Sequence, residues 1–152
     1  MKTIDGDLLK LADEGVFDVI VHGCNCFCTM GAGIARAIRD RYPAAYEADL
    51  ATENGSRDKL GSYSCATVPA GEHDLIVVNA YTQFDYRGGG VQADYDAIAR
   101  VFARIKSDFC GKRIGYPMIG AGLAGGDWTK ISAIIDRELH GEDHTLVNFK
   151  PD

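Results

Sequence analysis

At 152 residues and 46% hydrophobic composition, the chain reads as one globular domain, residues 1–152, with a sizeable core. A net charge of −6 argues against a broad basic footprint for nucleic acid, and five cysteines, an odd number far from the disulfide-dense class, point to reduced thiols. No apolar run approaches the roughly 20 residues of a membrane span, and MKTIDGDLLK (1–10) lacks the apolar region of a signal peptide, so a cytoplasmic protein with no membrane partner is expected.

In chain order, MKTIDG (1–6) supplies an edge strand, and LLKLADEG (8–15) follows as a helix for which Asp7 fits the N-cap. FDVIVHG (17–23) is a short, apolar, β-branched run of the kind found in buried central strands. Ile34, Ile38 and Tyr42 recur at helical spacing, and Pro43 then breaks or restarts the chain before AAYEADLATENG. SYSCATVP (62–69) is a strand candidate, and DLIVVNAY (74–81) is a second central strand. Tyr95, Ile98, Phe102, Ile105 and Phe109 mark one face of a long helix. KRIGYP (112–117) is a further strand, Ile131, Ile134, Ile135 and Leu139 lie on a further helix, and TLVNF (145–149) is the last strand. This alternation favours an α/β sheet with helices on both faces, and there is no internal repeat, low-complexity tract or linker.

Two features compete for the chemistry of residues 22 to 38, HGCNCFCTMGAGIARAI. Cys24, Cys26 and Cys28 sit at every second position. In an extended chain that spacing sends all three thiols to one side, tighter than the C-x₂₋₄-C knuckles that wrap a zinc ion. A fourth ligand could come from His22, Cys65 or Cys110, but nothing in their spacing demands it, and small thiols packing a loop is the preferred reading. The glycines carry more. Gly31-Ala32-Gly33 follows one strand and opens one helix; IGAGLAGGDW (119–128) does the same further on. Such loops expose unpaired N–H groups and a positive helix end to an anion, and in parallel sheets they gather at the carboxyl ends of the strands. Neither loop holds Lys or Arg, which suggests a pyrophosphate held between them by backbone; the alternative is glycine serving tight turns alone. The P-loop is absent, and no G-x-G-x-x-G dinucleotide fingerprint follows the first strand.

These residues resemble a known family, the macrodomain. GDLL (6–9) looks like its G-D-[IL] motif, VHGCN…MGAGIARAI like its N-A-A-N…G-G-G-[IV]-A-x-A-[IL] segment, and PMIGAGLAGGDW like its P-x-[IL]-G-x-G-[IL]-x-G phosphate loop. TLVNF matches the final strand, so the likeness runs along the chain in order. It implies a three-layer α/β/α fold with a mixed, mostly parallel central sheet that binds ADP-ribose without a cofactor. Asp7 would accept from the adenine amino group, with the Leu8 backbone beside the ring and Phe149 against it, though Asp7 equally suits an N-cap and Phe149 a last-strand core position. Asn25 would contact the distal ribose. Gly31, Ala32, Gly33 and Ile34 would face ribose and pyrophosphate, and Gly120, Ala121, Gly122, Leu123 and Ala124 would close over the phosphates.

The departures bear on activity. His22, Gly23 and Cys24 precede Asn25 where many members have N-A-A. Gln83 and Ala124 stand where the lysine-dependent hydrolases of the family would have lysine and aspartate. The cysteine-rich first loop and GLAGGDW look more like the branch that hydrolyses ADP-ribose 1''-phosphate. That reaction needs a proton-handling group, and no H-x-H or H-x-x-E-H pattern implies a metal. His22 and Asp127, with Asn25 beside the ribose, are the catalytic candidates; a structural histidine and a helix N-cap are the competing roles of the first two. Gln83, Asp85 and Arg87 border Gly88-Gly89-Gly90, which resembles a mobile flap. The reading is therefore a metal-independent hydrolase of ADP-ribose 1''-phosphate. The alternatives are a hydrolase of ADP-ribosyl esters or nucleobases on modified macromolecules, and a non-catalytic reader of ADP-ribose.

Overall fold

The computed structural model describes residues 1–151, so the final residue of the domain expected over 1–152 lies outside the described residues. Six strands, β1 (Lys2–Gly6), β2 (Val19–Cys24), β3 (Tyr63–Ala70), β4 (His73–Tyr81), β5 (Ile114–Tyr116) and β6 (His144–Phe149), form one sheet in the order β1-β6-β5-β2-β4-β3. All neighbours run parallel except β3 and β4, an antiparallel hairpin closed through Gly71 and Glu72. Five helices accompany them: α1 (Leu8–Asp13), α2 (Gly33–Arg41), α3 (Pro43–Leu50), α4 (Tyr95–Asp108) and α5 (Trp128–Glu138). This is the mixed, mostly parallel sheet expected, with helices on both faces.

Side-chain alternation builds two cores. Val19, Val21, Val78 and Ala80 point to the face covered by α4 and α5, meeting Ile98, Phe102, Ile131 and Ile135. Ile20, Val77 and Val147 point to the other face, meeting Leu8, Leu9, Ile38 and Ala45 of α1, α2 and α3. Each fully buried isoleucine contributes about 1.5–3 kcal/mol. β5 is shorter than KRIGYP predicts because Arg113 leaves the ladder. Its guanidinium grips Asp18 (Nη2–Oδ1 2.8 Å) and its carbonyl accepts from the Asp18 and Val19 amides.

Helix starts follow the sequence closely. Asp7, Asp94 and Asp127 cap α1, α4 and α5, accepting from Leu9, Ala97 and Thr129 amides at 3.0, 2.9 and 2.9 Å. α3 restarts on Pro43, whose missing N–H is an orphan there anyway. α2 differs from all four: its N-cap is Ala32, with no side-chain cap and no proline. Its first amides are left for something else.

Candidate functional site: a cation-free anion cleft

Parallel pairing brings the carboxyl ends of β1, β6, β5, β2 and β4 to one edge of the sheet. There the loops after β2 and β5 diverge around a cleft of about 650 Å³, a size typical of small-molecule sites. Residues 23–25, 29–35, 117–120 and 122–124 line it, with Asp49, Gln83 and Tyr86. The uncapped end of α2 opens on it, so free amides and the positive helix end face one wall. No Lys, Arg or His lines the cleft among the described residues.

The loop after β5 is closed on itself. Gly120 takes φ +74° and its carbonyl accepts from Gly126 N at 2.7 Å. A Cβ on Gly126 would stand 2.6 Å from that same oxygen, so only glycine fits. The Ala124 carbonyl accepts from Gln92 N (2.7 Å) and Ala93 N (3.3 Å), tying the loop to the end of the glycine-rich flap. Gly122, by contrast, has nothing within 4 Å of where its Cβ would be.

The loop after β2 is curled, not extended, and its buried cysteines are the reason. The Cys26 amide donates to Phe84 O (2.9 Å), and its carbonyl accepts from Gly55 N (2.7 Å) and Lys59 Nζ (3.2 Å). The Cys28 thiol donates to Asp49 O (3.3 Å), and its carbonyl accepts from Tyr46 (3.1 Å). These ties hold Cys28 at φ +55° and Met30 at φ +40°, left-handed conformations that cost a non-glycine residue about 1–3 kcal/mol. Asn25 completes the curl, donating to Thr29 Oγ1 and accepting from Phe27 N, both at 2.8 Å. Among the described residues no three His, Cys or acidic side chains converge as a metal cage.

Of the residues named from sequence, Asn25, Gly31, Ala32, Gly33, Ile34, Gly120, Gly122, Leu123 and Ala124 line the cleft, whereas Ala121 does not. Asp7 borders a neighbouring shallow depression with Lys10, Ala37 and Arg41. Leu8 is buried in the core beneath, and Phe149 is 70% exposed at the end of β6, paired in register with Gly6. Three placements bear on the chemistry. His22 is wholly buried: it falls on the face of β2 covered by α3, and Nε2–H donates to Asn79 Oδ1 at 2.7 Å. Burial lowers its pKa to about 4, against the opposing pull of Asn79, so it is neutral, and it is not among the residues that line the cleft. Asp127 is exposed, outside the cleft lining, and its Oδ1 is committed to the cap of α5. Arg87 is no free cation, because Asp85 holds it through Nε–Oδ1 and Nη2–Oδ2, each 3.0 Å. The same pair lowers the Asp85 pKa to about 2.

Sequence reading missed a buried polar chain under the cleft. His22 donates to Asn79; Asn79 Nδ2 donates to Ser64 Oγ (3.1 Å); Ser64 and Tyr81 hydroxyls meet at 2.8 Å; Tyr81 donates to Asp49 Oδ1 at 2.7 Å. Asp49 is 1% exposed and its carboxyl pKa is raised by burial, opposed by Tyr81 and the nearby Lys59. The one trace in the sequence is that Ala45 and Asp49 share a helical face four residues apart.

Residues 21–135 match the Macro domain family. This chain belongs to the macrodomain family. An uncharacterised 17.5 kDa protein of enterobacteria phage T4 is 35% identical over 156 residues, covering 99% of this macrodomain and 97% of the phage protein. An ADP-ribose 1''-phosphate phosphatase of Aspergillus oryzae is 44% identical over 46 residues, which is 30% of this chain and 21% of that enzyme. The structure of Thermosipho africanus DarTG in complex with ADP-ribose superposes with a TM-score of 0.75 at 15% identity, over 99% of this macrodomain and 42% of that chain, a likeness of fold.

Proposed function

We propose that this chain, as one macrodomain, binds ADP-ribose and hydrolyses ADP-ribose 1''-phosphate to ADP-ribose and phosphate. The observation that carries the binding half is the uncapped α2 facing the closed Gly120–Ala124 loop across a cleft without a cation. A pyrophosphate between them accepts from backbone amides on both sides. The adenine lies beyond α2, beside the Leu8 backbone and Phe149. Both capping amides of α1 use Asp7 Oδ1, which leaves Oδ2 for the adenine amino group. The distal ribose then reaches Asn25, with its anomeric carbon at the cleft floor. The local 44% match to a phosphatase supports the hydrolytic half, as does the absence, among the described residues, of a cleft lysine for lysine-dependent chemistry.

The scarcity of ionisable side chains in the cleft favours, as the second reading, a non-catalytic reader of ADP-ribosylated macromolecules. One experiment separates the two. The purified protein is incubated with ADP-ribose 1''-phosphate and, separately, with aspartyl-, glutamyl- and nucleobase-linked ADP-ribose, and released products are followed. Phosphate release from the first supports the phosphatase. Release only from the linked forms moves the activity to macromolecules, and binding with no release from any substrate supports the reader.

A further inference from the structure

We infer that Asp49 is the acid that protonates the anomeric oxygen as the phosphate departs, an assignment that rests on the phosphatase reading above. Breaking the phosphorus–oxygen bond leaves negative charge on that oxygen, and a positioned acid relieves it. The cleft offers few donors. Of the described residues lining it, Asp49 carries the only carboxyl group, and none is His, Lys or Arg. Cys24 lines it too, but burial pushes its thiol well above the usual range. Asp85 near the rim is locked as a carboxylate by Arg87. Asp49 has the opposite bias: it is buried, with its backbone carbonyl fastened by the Cys28 thiol and the Thr52 hydroxyl. Tyr81 donates to Oδ1, which directs the acid proton to Oδ2. A neutral acid is also the form that tolerates a phosphate dianion beside it.

The step balances. The bond between phosphorus and the anomeric oxygen breaks, its electron pair stays on oxygen, and that oxygen takes the Asp49 proton to give ADP-ribose. Water adds to the phosphoryl group, and a proton from the resulting dihydrogen phosphate returns to the Asp49 carboxylate. Burial, Tyr81 from β4 and Lys59 from the turn before β3 set the titration of Asp49, and the thiols of Cys24, Cys26 and Cys28 from the end of β2 and its loop lie near it. Lys59 sits under the same loop, donating to Cys26 O and lying 4.6 Å from the centre of the Tyr81 ring.

The test is the pH profile of kcat on ADP-ribose 1''-phosphate for the parent, Asp49→Asn, Tyr81→Phe and Lys59→Met, with melts and ADP-ribose affinities alongside. Asp49→Asn is expected to lose roughly 10²–10⁴-fold in kcat while binding ADP-ribose within severalfold of the parent. Tyr81→Phe and Lys59→Met each remove an influence that favours the carboxylate, so each is expected to move the high-pH limb of kcat to higher pH. A structural role for the three side chains would lower rates without moving that limb. Full turnover by Asp49→Asn, or a limb that stays in place in folded Tyr81→Phe and Lys59→Met, overturns the assignment while leaving the phosphatase standing. If Asp49→Asn fails to fold, the limb in the other two variants decides. A parent that releases no phosphate removes the phosphatase reading and this assignment together.

Discussion

His22 is protonated in the unfolded chain below about pH 6.5, and neutral in its buried place until its folded pKa of about 4. Between those values the unfolded state binds the extra proton, so stability falls as the pH falls. It is complete above pH 6.5, and the loss reaches on the order of 3 kcal/mol by pH 4. Burial lowers the His144 pKa as well, which adds to the same trend. Chemical denaturation from pH 7 to pH 4 is expected to show this slope, shallower in a folded His22→Gln variant; an unchanged slope contradicts the buried neutral imidazole. The two aspartate caps divide differently. Asp127→Ala is expected to lower stability by about 1 kcal/mol and leave turnover unchanged. Asp7→Ala is expected to lose a similar cap and also to weaken ADP-ribose roughly ten- to hundredfold, the ~1.5–3 kcal/mol of a hydrogen bond to a charged group. Melts and calorimetry on the same preparations check both. These caps were legible because an aspartate before an apolar helical run acts locally. The burial of His22 was not: alternation assigns it a face of β2, and only α3, Ser64 and Asn79 from elsewhere in the chain decide that the face is sealed.

The strands and helices were largely readable, since their β-branched runs and 3–4 spacings reflect burial on one or both faces. The two glycine loops were readable for the same reason, each following a strand and opening a helix. What escaped was structure made by distant partners: the 3₁₀ turn Arg57–Lys59, which carries the lysine that ties Cys26, and the curl pinned by Cys28 on Asp49. The cysteines are thus fasteners of the first loop, a role that alternate spacing does not reveal. The second loop yields its own prediction. Gly122 lines the cleft, has open space at its Cβ and takes no left-handed φ, so Gly122→Glu is expected to melt with the parent. Its carboxylate enters where the pyrophosphate approaches, and ADP-ribose binding is expected to be nearly abolished. A variant that binds within severalfold of the parent removes this loop from the site.

The molecule as a whole is acidic, at net charge −6, and the cleft proposed to hold the anion has no lysine or arginine among the described residues that line it. Attraction then comes from short-range amides and the end of α2, while the long-range field opposes approach. Salt screens the opposing field more than the amide contacts, so the affinity for ADP-ribose is expected to hold or rise from low to 0.15 M ionic strength. A site built on surface cations would weaken instead. No helix among the described residues is long and apolar enough to cross a membrane. The most direct measurement is a calorimetric titration of the parent with ADP-ribose, repeated with AMP. The account expects saturable binding of ADP-ribose and weaker binding of AMP, which has the adenine and one phosphate but does not bridge both loops. No heat and no competition at millimolar ADP-ribose would contradict it.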